Sequence, residues 1–101
     1  MTLSNSAVGD ILYTSWGYEQ TNIDFYEIVA RRGKSTLALR KLQCSSEDEG
    51  WCRHKVMPLK GQFVGDQILT RRISKHGTAK VETYAYLHPW DGTPKHATSY
   101  A

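Results

Sequence analysis

The chain has 101 residues, 40% of them apolar and 23% charged, which fits one globular domain and excludes a disordered or low-complexity segment. Its formal net charge of +3 is mildly basic, so a polyanion is permitted as a partner but not demanded. No apolar run is long enough to span a bilayer, and residues 1–7 lack the basic and apolar blocks of a signal peptide, so the expected location is the cytoplasm.

Residues 1–8 are a polar lead-in expected to fray. Gly9-Asp10-Ile11-Leu12-Tyr13 reads as a first strand entered from a turn. Residues 16–22 follow as a long polar loop, in which Trp16 and Tyr18 flank Gly17 and Asn22 closes the run. Rings in such a loop are either pinned to the core or offered to a partner. Residues 23–30 are rich in strand formers. Ile23, Phe25 and Val29 fall on one face and Tyr26, Ile28 and Ala30 on the other, which predicts a central strand. Arg31-Arg32-Gly33-Lys34 is a glycine turn, and residues 35–42 alternate, so the two runs should form a hairpin.

Residues 43–50 are small, polar and acidic and read as a loop. A strand is expected over 53–57, stopped by Pro58, with a turn that includes a short extended piece over 60–66. Residues 67–74 read as a strand, Lys75-His76-Gly77 as a second tight turn, and 78–87 as the longest alternating stretch. That alternation would line Tyr84, Tyr86 and His88 along one exposed face ending near Trp90. Two prolines and a glycine make 88–94 irregular, and a polar tail runs to residue 101.

Five to six short antiparallel strands in so short a chain predict an all-β fold, a single small SH3-like barrel over 1–101. The alternatives are an OB-like barrel or a small β-sandwich.

Two segments carry a resemblance. Ser15-Trp16-Gly17-Tyr18-Glu19-Gln20-Thr21-Asn22-Ile23-Asp24-Phe25-Tyr26 and Pro89-Trp90-Asp91-Gly92 resemble the N- and C-terminal signatures of a family of small proteins carried by phages, prophages and plasmids. The resemblance implies a mobile-element origin and no particular mechanism.

Cys44, Cys52 and His54 lack the close cysteine spacing of zinc sites, so free thiols, no metal and no cofactor are expected. Catalysis would need a histidine (His54, His76, His88 or His96) oriented by Asp24, Glu27 or Asp91, but no catalytic motif frames any of them. A small hydrolase or nuclease is therefore the third reading. The first is a non-enzymatic binding module that takes a host or phage protein through exposed aromatic and Arg residues. The second is sequence-nonspecific nucleic-acid binding through basic turns. The binding residues common to both are Trp16, Tyr18, Asn22, Arg31, Arg32, Lys34, Arg71, Arg72, Tyr84, Tyr86, His88 and Trp90. No membrane contact is expected, and self-association is left open.

Overall fold

The computed structural model describes residues 7–17, 21–33, 35–50, 53–75, 77–82 and 85–98. Among these every regular element is a strand. They are β1 (Ile11–Trp16), β2 (Asn22–Arg32), β3 (Thr36–Gly50), β4 (Arg53–Phe63), β5 (Leu69–Arg72), β6 (Lys80–Glu82), β7 (Ala85–Pro89) and β8 (Lys95–Thr98). All pairings are antiparallel, in the order β6-β7-β1-β2-β3-β4-β8, with β5 added on β3. The hydrogen-bonded path does not close into a ring among the described residues. The fold is thus all-β, as expected, but with eight described strands rather than five or six.

The β2–β3 hairpin is the organising unit. Its register runs from Phe25 opposite Leu42 to Arg32 opposite Thr36, with a bulge between Ile28 and Ala30. Gly33 turns the corner at φ 67°, a left-handed conformation that costs a glycine nothing sterically. The two apolar faces of β2 do separate. Tyr26 and Ile28 join Leu12, Leu37, Leu39, Ile73, Ala79 and Leu87 in one buried cluster. Phe25 joins Leu42 and Val56 in a second, against which Ile11, Tyr13, Ile23 and Trp90 pack. β2 therefore has a core on each side, which is what a strand with two apolar faces requires.

β3 explains how one hairpin serves two cores. Its first part, Thr36 to Leu39, has β2 on one edge and β5 on the other. Its later part, from Cys44 to Gly50, pairs with β4. The acidic run expected as a loop is thus a strand. Its charges are matched across the ladder, Glu47 opposite Lys55 and Asp48 opposite His54, and such pairs favour a strand over a solvated loop.

Further expectations are corrected. Pro58 does not end its strand, because β4 continues to Phe63. β8 borders β4 only from Arg53 to Val56, so at Pro58 the outer edge needs no N–H. The extended piece expected within 60–66 is accordingly the end of β4, over residues 60–63; there Lys60 Nζ donates to the Gly9 carbonyl and the Gly61 N–H to Glu27 Oε1 at 3.3 Å. The alternating stretch 78–87 is not one strand: β6 and β7 fold against each other, Lys80 opposite Tyr86 and Glu82 opposite Ala85. Finally, β7 runs on through His88 and Pro89, and the polar tail supplies β8.

Candidate functional site

Positive charge gathers where β2, β3 and β5 end together. Arg32, Thr36 and Arg72 lie in one row across three strands, and Arg31, Leu37 and Arg71 in the next. Directly opposed residues share a face, so each row presents its side chains on one side of the sheet. One backbone bond joins the two turns, Ile73 N–H donating to the Ser35 carbonyl at 2.6 Å, and Ser74 N–H closes the second turn on the Thr78 carbonyl at 2.7 Å. Stretches 31–36 and 70–82 hold seven of the thirteen Lys and Arg residues but one carboxylate, Glu82. The remainder of the chain carries an acidic excess, so the net positive charge belongs to this end.

A groove of about 260 Å³ opens here, lined by Arg71, Arg72, Lys80, Ser74, Thr78, Ala79 and Tyr86. No carboxylate lines it among the described residues. Lys80 Nζ stands 5.7 Å from the centroid of the Tyr86 ring, and that residue is 48% exposed. Ser74 Oγ and Thr78 Oγ1 are 2.9 Å apart. Arg71 is held in place: its guanidinium donates to the Thr70 carbonyl at 2.9 Å and to the Val81 carbonyl at 3.3 Å. The same Arg71 forms a wall of a second groove of about 370 Å³, with Tyr26, Lys41, Val64, Gln67, Leu69 and Val81.

The expected binding residues divide. Arg71, Arg72 and Tyr86 meet in the first groove, and Arg31 and Arg32 lie on the adjoining strand end. Trp16 is half-buried at the end of β1, and its indole N–H donates to Asp24 Oδ2 at 2.9 Å. Asn22 is half-buried opposite it. Trp90 packs edge-on against Phe25, with its indole N–H on the Thr93 carbonyl at 2.8 Å. His88 is exposed, its ring 5.4 Å from that of Tyr13. Tyr18, Lys34 and Tyr84 lie outside the described residues, as do Cys52 and His76. Sequence reasoning missed Lys80, Ser74 and Thr78. The signal for them was weak, since an alternating strand with one lysine is commonplace, and only the β6–β7 fold-back sets Lys80 beside Tyr86.

The carboxylates considered as catalytic orienters are engaged in structural bonds. Asp24 holds Trp16 and lies 3.3 Å from Lys41 Nζ, Glu27 accepts from Gly61, and Asp91 accepts from Thr93 and Lys95. His54 Nδ1 is 2.8 Å from Asp48 Oδ1, on the arm formed by β3 and β4, and neither residue lines a groove. Cys44 is exposed at the surface of that arm, yet local desolvation and then the Asp24 carboxylate push its thiol above the ordinary range. Among the described residues no three of His, Cys, Asp and Glu gather as metal ligands would, and no helix is long and apolar enough to cross a membrane. Comparison with protein families, with curated proteins and with solved structures finds no match for this chain.

Proposed function

We propose that the protein binds the phosphate backbone of nucleic acid at the end where β2, β3, β5 and β6 meet. The observation that carries this is the groove of Arg71, Arg72 and Lys80, furnished with the hydroxyls of Ser74 and Thr78 and edged by Tyr86. Guanidinium and ammonium groups supply charge, hydroxyls donate to phosphate oxygens, and an exposed ring can stack on a base. Nothing in this donor set selects a base, so the binding is sequence-nonspecific. A protein partner is the second reading. It draws less support, because the indole N–H groups of Trp16 and Trp90 are used inside the chain and both rings are half-buried.

We also read the strands around Leu37 as a small SH3-like barrel. What supports this is a single cluster that takes residues from β1, β2, the start of β3 and β7, together with Ile73 and Ala79 beside β5 and β6. Arg71 and the bonds between Ser74 and Thr78 span the gap between β5 and β6.

Titration of a generic oligonucleotide across a salt series tests the function. Neutralising about three phosphates gives a slope of log K against log salt of about −2 to −3. Arg72→Ala should weaken binding and flatten the slope by about 1, whereas Lys55→Ala on the arm should leave both unchanged. No binding at low salt, or binding indifferent to salt, would overturn the proposal.

A further inference from the structure

The larger groove adds a second element to the site. Its walls are Leu69, Val81 and the buried Tyr26, with Val64, Gln67 and Lys41 among its lining residues. Apolar walls with a few polar groups among them are the make-up of small-ligand sites, and about 370 Å³ lies at the lower end of their usual range of roughly 300–1,000 Å³. A phosphate could meet Lys41 and Arg71 there, but it would leave the hydrocarbon of Val64, Leu69 and Val81 uncovered. A heterocyclic base would find both an apolar slot and hydrogen-bonding side chains. The two grooves share Arg71, whose bonds to Thr70 and Val81 fix the guanidinium between them while using only part of its donor capacity.

We infer that the substrate class is single-stranded nucleic acid, one base of which leaves the stack and enters the groove of Tyr26, Leu69 and Val81 while its flanking phosphate lies on Arg71, Arg72 and Lys80. The inference rests on the backbone-binding reading above and sharpens it. A duplex keeps its bases paired and stacked, so it could use the phosphate groove alone. A single strand pays much less to expose a base. Val64 and Ile68, both large and exposed at 48% and 56%, lie at or beside this groove, where they could cover the edges of an inserted ring.

The experiment compares three probes of equal length at one low salt concentration: a thymidine single strand, an abasic single strand with the same backbone, and a duplex. The thymidine strand is expected to bind about tenfold or more tightly than the abasic strand, the scale of one buried base. The duplex is expected to bind no better than the abasic strand. Val64→Ala combined with Gln67→Ala, both at exposed positions, should cut the preference for thymidine over abasic strand at least threefold and leave the abasic affinity unchanged. A melting curve verifies that the variant is folded. Equal affinity for thymidine and abasic strands, a duplex as tight as the thymidine strand, or a preference untouched by the double variant would each overturn the inference while leaving backbone binding standing. Failure of all three probes to bind would remove backbone binding itself, and the inference with it.

Discussion

Lys80 faces Tyr86 across the β6–β7 ladder, with its ammonium 5.7 Å from the centre of a ring that is about half exposed. A cation over an exposed ring contributes only about 0.5–1 kcal/mol. The pair therefore matters little to stability, and it keeps a charge and a flat apolar surface side by side at the mouth of the basic groove.

The first prediction separates these two contributions. Lys80→Ala should weaken oligonucleotide binding and reduce its salt slope by about 1, because one phosphate contact is lost. Tyr86→Ala should weaken binding by about 1–3 kcal/mol with the slope unchanged, because stacking releases no counterions. Both should unfold within about 1 kcal/mol of the parent protein, as is usual for surface changes. A Tyr86→Ala variant that loses much more stability would assign the ring to the core instead.

The second prediction concerns the two clusters that share β2. Leu37 and Leu39 are fully buried on one face, and Phe25 is 1% exposed on the other. Leu37→Ala should cost about 2–5 kcal/mol and Phe25→Ala about 3–5 kcal/mol, each a large share of the stability of a small domain. The gentler pair Ile28→Val and Val56→Ala lies in different clusters, so denaturant melts should show their effects adding to within about 0.5 kcal/mol. Strong coupling between them would mean that the two faces of β2 do not act as separate cores.

The β2–β3 hairpin was legible because local signals agreed there: strand formers on both sides of a glycine turn, and apolar residues on both faces of the first strand. What escaped was non-local. The run from Gln43 to Gly50 has loop composition, and it becomes a strand only because Lys55 and His54 arrive opposite its acids. The stretch over 78–87 has a strand's alternation throughout, but periodicity does not reveal a fold-back, and Lys80 meets Tyr86 only through it. The basic residues of the site were visible as residue types. Their convergence was not, since it depends on β5 pairing with the first part of β3 at a separation of thirty residues or more.

The third prediction concerns Cys44. Desolvation raises its pKa first and Asp24 second, while Lys41 acts in the opposite sense. A raised pKa keeps the thiol protonated, and the thiolate is the reactive form. In a Cys52→Ser background, alkylation of Cys44 should be slower at pH 8 than that of a small free thiol, and its pH–rate profile should be displaced to higher pH. Asp24→Asn should move the profile back down, and Lys41→Ala should move it further up. A midpoint at or below the ordinary value of about 8.5 would contradict this account.

The last prediction takes the Pro89-Trp90-Asp91-Gly92-Thr93-Pro94 segment, whose residue types are explained by a turn. Asp91 Oδ1 accepts from the Thr93 hydroxyl at 2.6 Å and from the Thr93 N–H at 3.1 Å, and lies 3.1 Å from Lys95 Nζ. Gly92 takes φ 87°, which a residue with a side chain rarely adopts. The Thr93 carbonyl then receives the Trp90 indole N–H, and Trp90 N–H donates to the Ile11 carbonyl at 3.0 Å, tying the turn to β1. The Thr93 hydroxyl bond is the main reason that the Asp91 carboxyl is held well below the ordinary carboxylate range, with Thr93 N–H and Lys95 adding to it. A carboxyl whose folded pKa lies below its unfolded one stabilises the fold fully above the unfolded value, about 3.9, and loses that contribution progressively below it until pH has fallen through the folded value, while in the folded protein the carboxylate itself is protonated only there. The indole N–H resonance of Trp90 should therefore hold its position as pH is lowered past 3.9 and move only in stronger acid. Asp91→Ala should shift that resonance at every pH, while Lys95→Ala should raise the acid midpoint and leave the neutral position nearly unchanged. A wild-type transition centred on the ordinary carboxylate value would show that Asp91 does not hold the turn that anchors Trp90.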